Sequence, residues 1–192
     1  MSTIRIKIQT WLSVLSERAR VIWLAVIAFT ESSFFPVPPD PFLMLAIFSK
    51  PKKWLKYVSL VTTFSILGGI LGYLIGMFFF DFVGEVLINT YSLHEEFDTV
   101  QDLFLNNAFW SIFVSAFTPI PYKIFTISAG LFGVNIFTFV IASVLGRGLR
   151  FSVVGSVSYL FGKKIAKTLI KYFDIISISI ILLIIIYLLI SG

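Results

Sequence analysis

Two apolar stretches of this chain, residues 21–49 and 108–133, are each broken near the middle by prolines and charged side chains. The first carries Glu31, Pro36, Pro38, Pro39, Asp40 and Pro41, and the second carries Pro119, Pro121 and Lys123. Proline has no N–H for the helical ladder and its ring collides with the preceding turn, so neither stretch can be one continuous helix. Each half holds roughly ten to fourteen residues and reaches about 15–20 Å at ~1.5 Å per residue. A hydrocarbon core is ~30 Å thick, so such a half cannot cross it alone. The pattern predicts two re-entrant helical hairpins, at 21–50 and 107–133, each entering and leaving by one face.

A membrane setting follows from composition. The chain is 58% hydrophobic and 13% charged, against roughly half apolar and about a quarter charged in a soluble domain. Apolar runs at 54–80 and 135–161 are long enough for full crossings, and 174–191 makes a last one. Gly68, Gly72 and Gly76 form a ridge suited to close helix packing. At the N-terminus, Ile4, Ile8, Trp11, Leu12 and Leu15 recur at helical spacing, so 1–20 reads as an interfacial amphipathic helix. It lacks the cleavage pattern of a signal peptide.

The net charge of +5 is unevenly distributed. Arg18 and Arg20 precede the first broken stretch, Lys50, Lys52, Lys53 and Lys56 follow it, and Lys163, Lys164, Lys167 and Lys171 lie in a connector at 162–173. Residues 81–106 instead hold Asp81, Glu85, Glu95, Glu96, Asp98 and Asp102 with no Lys or Arg. By the positive-inside bias, the N-terminus and the basic clusters are cytoplasmic, 81–106 is an outer acidic loop, and the C-terminus is outside. The basicity therefore belongs to membrane topology rather than to nucleic-acid binding. With no Cys, disulfides, thiolate metal sites and cysteine nucleophiles are excluded. His94 has no second imidazole to complete a metal site, and neither a nucleophile elbow nor a P-loop occurs. We expect no enzyme, no metal and no cofactor.

At a constant offset of 83 residues, Pro36 and Pro38 fall on Pro119 and Pro121, Phe34 on Phe117, Phe42 on Phe125 and Gly72 on Gly155. The chain thus reads as a duplicated unit of one hairpin plus one crossing. An odd number of crossings inverts the second copy, as in transporters whose broken helices meet near the midplane. The expected fold class is an all-α polytopic membrane protein, an inverted repeat of re-entrant hairpin plus transmembrane helix within one domain, 1–192. The same offset places Asp40 on Lys123, so related positions carry opposite charges.

Five ionisable residues fall within these membrane segments: Glu31, Asp40, Lys123, Arg147 and Arg150. Each would cost about 2.5–3.5 kcal/mol or more at the centre of a lipid-facing helix, so each must pair or face a wet cavity. Arg147 and Arg150 share a helical face and are flanked by Gly146 and Gly148, which suits bidentate phosphate recognition. The plainer alternative has them neutralising Glu31 and Asp40 to hold the two repeats together. Glu31 and Asp40 flank the proline break and are candidates for proton coupling or gating. Pro36, Pro38, Pro39, Pro119 and Pro121 are the break residues.

ESSFFPVPPD (31–40), FTPIPYK (117–123) and GRGLRF (146–151) together resemble the DedA superfamily, also called the VTT or SNARE-associated domain family, and its YqaA-like branch. The resemblance spans roughly residues 20–165. It implies two facing re-entrant hairpins in a bacterial inner membrane, and translocation of undecaprenyl phosphate or scrambling of phospholipids as activities of relatives. Its acidic pair maps onto Glu31 and Asp40, and its basic residues onto Lys123, Arg147 and Arg150. Many members place an Arg just before the Phe of the second loop, where this chain has Ala116. The expected function is a flippase or scramblase for an anionic lipid headgroup, with protons as a further partner. A proton-coupled small-ion or solute transporter and a non-transporting membrane scaffold are the alternatives.

Overall fold

The computed structural model describes residues 16–35, 37–79, 89–90 and 94–191. Among these it is all helical, with no strands: α1 Glu17–Ser33, α2 Asp40–Ser49, α3 Trp54–Phe79, α4 His94–Asn106, α5 Ala108–Phe117, α6 Tyr122–Leu131 and α7 Ile136–Ser191, with a 3-10 turn at Pro51–Lys53. Two of its helical segments are long and apolar enough to cross a membrane, Pro51–Phe79 and Ile136–Gly162.

Local chemistry sets the helix ends. Ser16 caps α1 by accepting from the Ala19 N–H. At the first break Phe34 and Phe35 both donate to the Thr30 carbonyl, and the chain restarts at α2 with Pro39 as cap and Pro41 in the first turn. Proline is tolerated there because first-turn N–H groups have no helical partner. The second break spans Thr118 to Pro121, and Pro121 caps α6 in an extended conformation. Between α6 and α7, Val134 donates to Ala129 and Gly133 donates to Gly130 around Gly133 at φ 67°. That pattern needs a left-handed residue, which glycine supplies without strain. Gly162, at φ 66° and ψ −171°, kinks α7 where the apolar span ends.

Contacts fix the running directions. Glu17 at the start of α1 meets Lys53 just before α3, Phe29 lies against Gly68, and Ser32 bonds Ser65, so α1 and α3 run side by side in one direction. The chain then returns through α2 until Lys50 reaches Glu17 at 3.4 Å. Tyr122, Thr126 and Gly130 of α6 abut Gly69, Gly72 and Tyr73, so α6 also runs with α3. Helices α2, α5 and the first part of α7 run the opposite way: Asp40 meets Arg150, Ile47 approaches Gly155, and Phe113 and Ala116 abut Gly146.

Two apolar cores result. One joins α1, α2, α3 and α7 through Leu24, Leu43, Ile47, Tyr57, Val61 and Phe151, and the other joins α3, α5, α6 and α7 through Tyr73, Ile112, Tyr122, Ala129 and Phe139.

Three boundaries differ from the sequence expectation. Residues 17–20 belong to α1 rather than to a separate amphipathic helix, and 1–15 lie outside the described residues, as does Pro36. Of the expected outer loop, 94–106 forms α4, because Phe97 and Phe104 pack on Phe132 while Gln101 donates to its carbonyl at 3.2 Å. The connector 162–173 is helical and continuous with the last apolar stretch, whose side chains mostly lie outside the description.

Candidate functional site

Both helix breaks converge on the middle of the apolar part of α7, where Arg147 and Arg150 sit one turn apart. Arg147 is 3% and Arg150 6% exposed. An arginine so removed from water must direct its donors at nearby acceptors. Arg147 Nη2 donates to both oxygens of Glu31, at 3.0 and 3.3 Å, and its guanidinium lies 4.2 Å from the centroid of the Tyr122 ring. Arg150 Nη2 donates to Asp40, and its Nη1 donates to the Phe117 carbonyl at 3.2 Å. Glu31 and Asp40 belong to the first break, Tyr122 and Phe117 to the second. Each arginine therefore touches both breaks.

The local reasons are specific. Phe117 is the last residue of α5, so its carbonyl lies beyond the helical ladder, where it accepts from Arg150. Asp40 begins α2, where a carboxylate faces the positive end of the helix dipole. Glu31 sits in the last turn of α1, and its carboxylate also accepts from Ser32 Oγ at 3.1 Å; Ser32 in turn shares a 2.7 Å bond with Ser65 of α3. Arg147 lies at the seam of the two cores, with Tyr122 of one and Phe151 of the other beside it.

Four of the five charged candidates are thus brought together as two ion pairs, the arrangement in which the arginines neutralise the acids. Lys123 belongs to neither pair. It is half-buried at the second break, and among the described residues its ammonium has no ion-pair partner; Asp40, its counterpart at the 83-residue offset, pairs with Arg150. Pro38, Pro39, Pro119 and Pro121 lie in the two breaks. Two buried polar atoms of the site have no hydrogen-bond partner among the described residues, Arg147 Nε and Asp40 Oδ1. No group of three or more His, Cys, Asp or Glu capable of holding a metal occurs among those residues.

Sequence reading missed Tyr122, Ser143, Ser32, Ser65 and the Phe117 carbonyl. Tyr122 carried the one available signal, a polar aromatic next to the break. Serines in helices are unremarkable, and a backbone carbonyl leaves no trace in residue identity.

Membrane-length apolar helices around a buried charged seam define the class, an integral membrane protein. The VTT domain matches residues 35–160, and the chain belongs to that family, also known as the DedA family. Membership points to a transporter-like role in a membrane. An uncharacterized protein of Haemophilus influenzae is 36% identical over 166 residues, which cover 86% of each chain. Another, from Histophilus somni, is 32% identical over 174 residues, 90% of this chain and 91% of its own. No solved structure matches the chain significantly.

Proposed function

We propose that the protein is a lipid transporter of flippase or scramblase type, moving an anionic, phosphate-bearing headgroup such as that of a polyprenyl phosphate or a phospholipid. The observation that carries this reading is the double bridging of Arg147 and Arg150 between the two breaks. A phosphate competes for the same guanidinium donors as a carboxylate. Its arrival would release Glu31 or Asp40, and with them the tie between the breaks, while the lipid tail stays in the bilayer. The freed acid is then placed to take up a proton. Lys123, without an acid of its own, would add a third cation at the second break. No step in this scheme makes or breaks a covalent bond in the lipid, so the protein is not an enzyme on this reading.

The same reading takes α1–α2 and α5–α6 as re-entrant hairpins of an inverted repeat. Support comes from the running directions, since α1, α2 and α3 each run opposite to α5, α6 and α7 in turn. The end that gathers Glu17, Lys50, Lys53 and Lys56 would be cytoplasmic, and the end carrying Asp98 and Asp102 on α4 would face outward, in a bacterial inner membrane with the C-terminus outside. Proton-coupled movement of a small solute is the second reading. It is favoured by the hydroxyl chain from Glu31 through Ser32 to Ser65.

The test is transport of a fluorescent anionic lipid in vesicles containing the purified protein. Arg147→Lys keeps the charge but loses the planar fork, and Glu31→Gln removes the exchangeable carboxylate; each is expected to slow translocation about ten-fold or more. Unchanged rates in both variants reject the headgroup reading. Proton uptake without lipid movement selects the second one.

A further inference from the structure

The headgroup reading gives roles to charged residues and leaves Tyr122 with none, although its ring is firmly held. Tyr122 is 1% exposed. Its hydroxyl donates to Ser143 Oγ at 2.6 Å, and Ser143 donates onward to the Phe139 carbonyl at 2.6 Å. The ring also needs glycine at position 69, since a Cβ there would stand 2.8 Å from the hydroxyl and 3.1 Å from a ring carbon. What this ring presents to the site is its π face, with Arg147 Cζ 4.2 Å from the centroid.

A guanidinium has two independent ways of binding. Its flat face stacks on an aromatic ring, while all its N–H donors lie in the plane and point outward from the edge. At Arg147 the central carbon Cζ stands over the Tyr122 ring, and Nη2 is taken by Glu31. Beside Nη2 on the same edge, Nε is buried and has no partner among the described residues. Buried donors are nearly always paired, so an open one on a fixed arginine marks where an acceptor belongs.

We propose that Tyr122 is the positioning residue of the anion site. Its ring holds the plane of Arg147, so that Nε and Nη2 together face one oxyanion and the guanidinium stays in place when Glu31 lets go. Arg150, held by Asp40 and the Phe117 carbonyl, ties the breaks and is not the first anion contact. This rests on the headgroup reading above and names the group recognised, a phosphate oxyanion met at the edge of Arg147.

The experiment measures translocation of fluorescent phosphatidic acid in phosphatidylcholine vesicles, as rate against mole fraction of the labelled lipid. Tyr122→Leu removes the stacking face and is expected to raise the half-saturating mole fraction about ten-fold with the maximal rate little changed, as loss of a desolvated cation–π contact implies. Tyr122→Phe keeps the face and is expected to restore wild-type half-saturation within about two-fold, since only the hydroxyl bond is lost. If Tyr122→Leu does not purify as a folded protein, Gly69→Ala displaces the ring without removing it and is expected to raise half-saturation in the same way. Equal behaviour of the Phe and Leu variants, or Gly69→Ala indistinguishable from wild type, overturns the role of Tyr122 and leaves the headgroup reading standing. A wild-type protein that moves no labelled lipid overturns both.

Discussion

At Arg150 one guanidinium serves two different acceptors, the carboxylate of Asp40 and the carbonyl of Phe117 at the end of α5. Removing the arginine leaves the buried Asp40 carboxylate without its cation, whereas replacing both members of the pair does not. Breaking a buried ion pair from one side costs about 3–5 kcal/mol, and replacing both partners costs far less. We therefore expect Arg150→Ala to lower unfolding stability by about that amount, and the double variant Asp40→Asn with Arg150→Met to recover at least half of it. Denaturant unfolding of the detergent-solubilised protein checks this, and equal losses in both variants would show that the pair is not the source of the cost. Arg147 differs in having its Cζ over the Tyr122 ring and Nε open on its edge, so the two arginines are unlike although they sit one turn apart.

At the scale of helices, close approach depends on what is missing. Where lipid is the solvent, burying apolar surface gains little over leaving it in the bilayer, and helices associate through tight packing and polar links. Gly76 faces the Ile127 carbonyl and Gly130 faces the Tyr73 carbonyl, so α3 and α6 meet backbone to backbone. The glycine ridge is therefore a packing surface, with Gly68 against Phe29 of α1 and Gly72 against Thr126 of α6. A different tie holds the basic end, where Glu17 of α1 lies within 3.7 Å of Lys56 and 3.4 Å of Lys50 and pairs with Lys53. The hydrogen bond from Lys53, followed by the charges of Lys53 and Lys50, pulls the Glu17 carboxyl down from 4.5 to about 2. A depressed carboxylate stabilises the fold above its unfolded value, and that contribution is lost as pH falls from about 4.5 toward about 2. Thermal unfolding followed over that window should show a fall in the wild type that Glu17→Gln lacks, and parallel curves for the two would rule out the tie as a stabilising contact.

For the molecule as a whole, the two cores share α3 and α7 but no residue, and the charged seam lies between them. A seam of ion pairs between apolar blocks is where relative motion exchanges one set of partners for another, whereas close-packed cores resist deformation. The basic and acidic ends also make the orientation testable, because the chain has no Cys of its own. In intact bacterial cells, Asp98→Cys on the exposed face of α4 should react with a membrane-impermeant maleimide. Lys52→Cys should react only after the inner membrane is opened. The reverse labelling pattern would invert the proposed topology.

Residue order alone was enough to establish helices, two proline breaks, two long apolar spans and five charges set within apolar segments, because proline geometry, hydrophobic length and charge placement are properties of short segments. It also marked Glu31, Asp40, Arg147 and Arg150 as one group, but not which acid meets which base. That choice, in which Asp40 pairs with Arg150 rather than Lys123, depends on how α2 and α7 lie against one another, more than a hundred residues apart along the chain. The same holds for the seat of Tyr122 over Gly69, its bond to Ser143 and the Phe117 carbonyl that receives Arg150. These contacts come from shape and from backbone groups common to every residue, so only the packed helices could decide them.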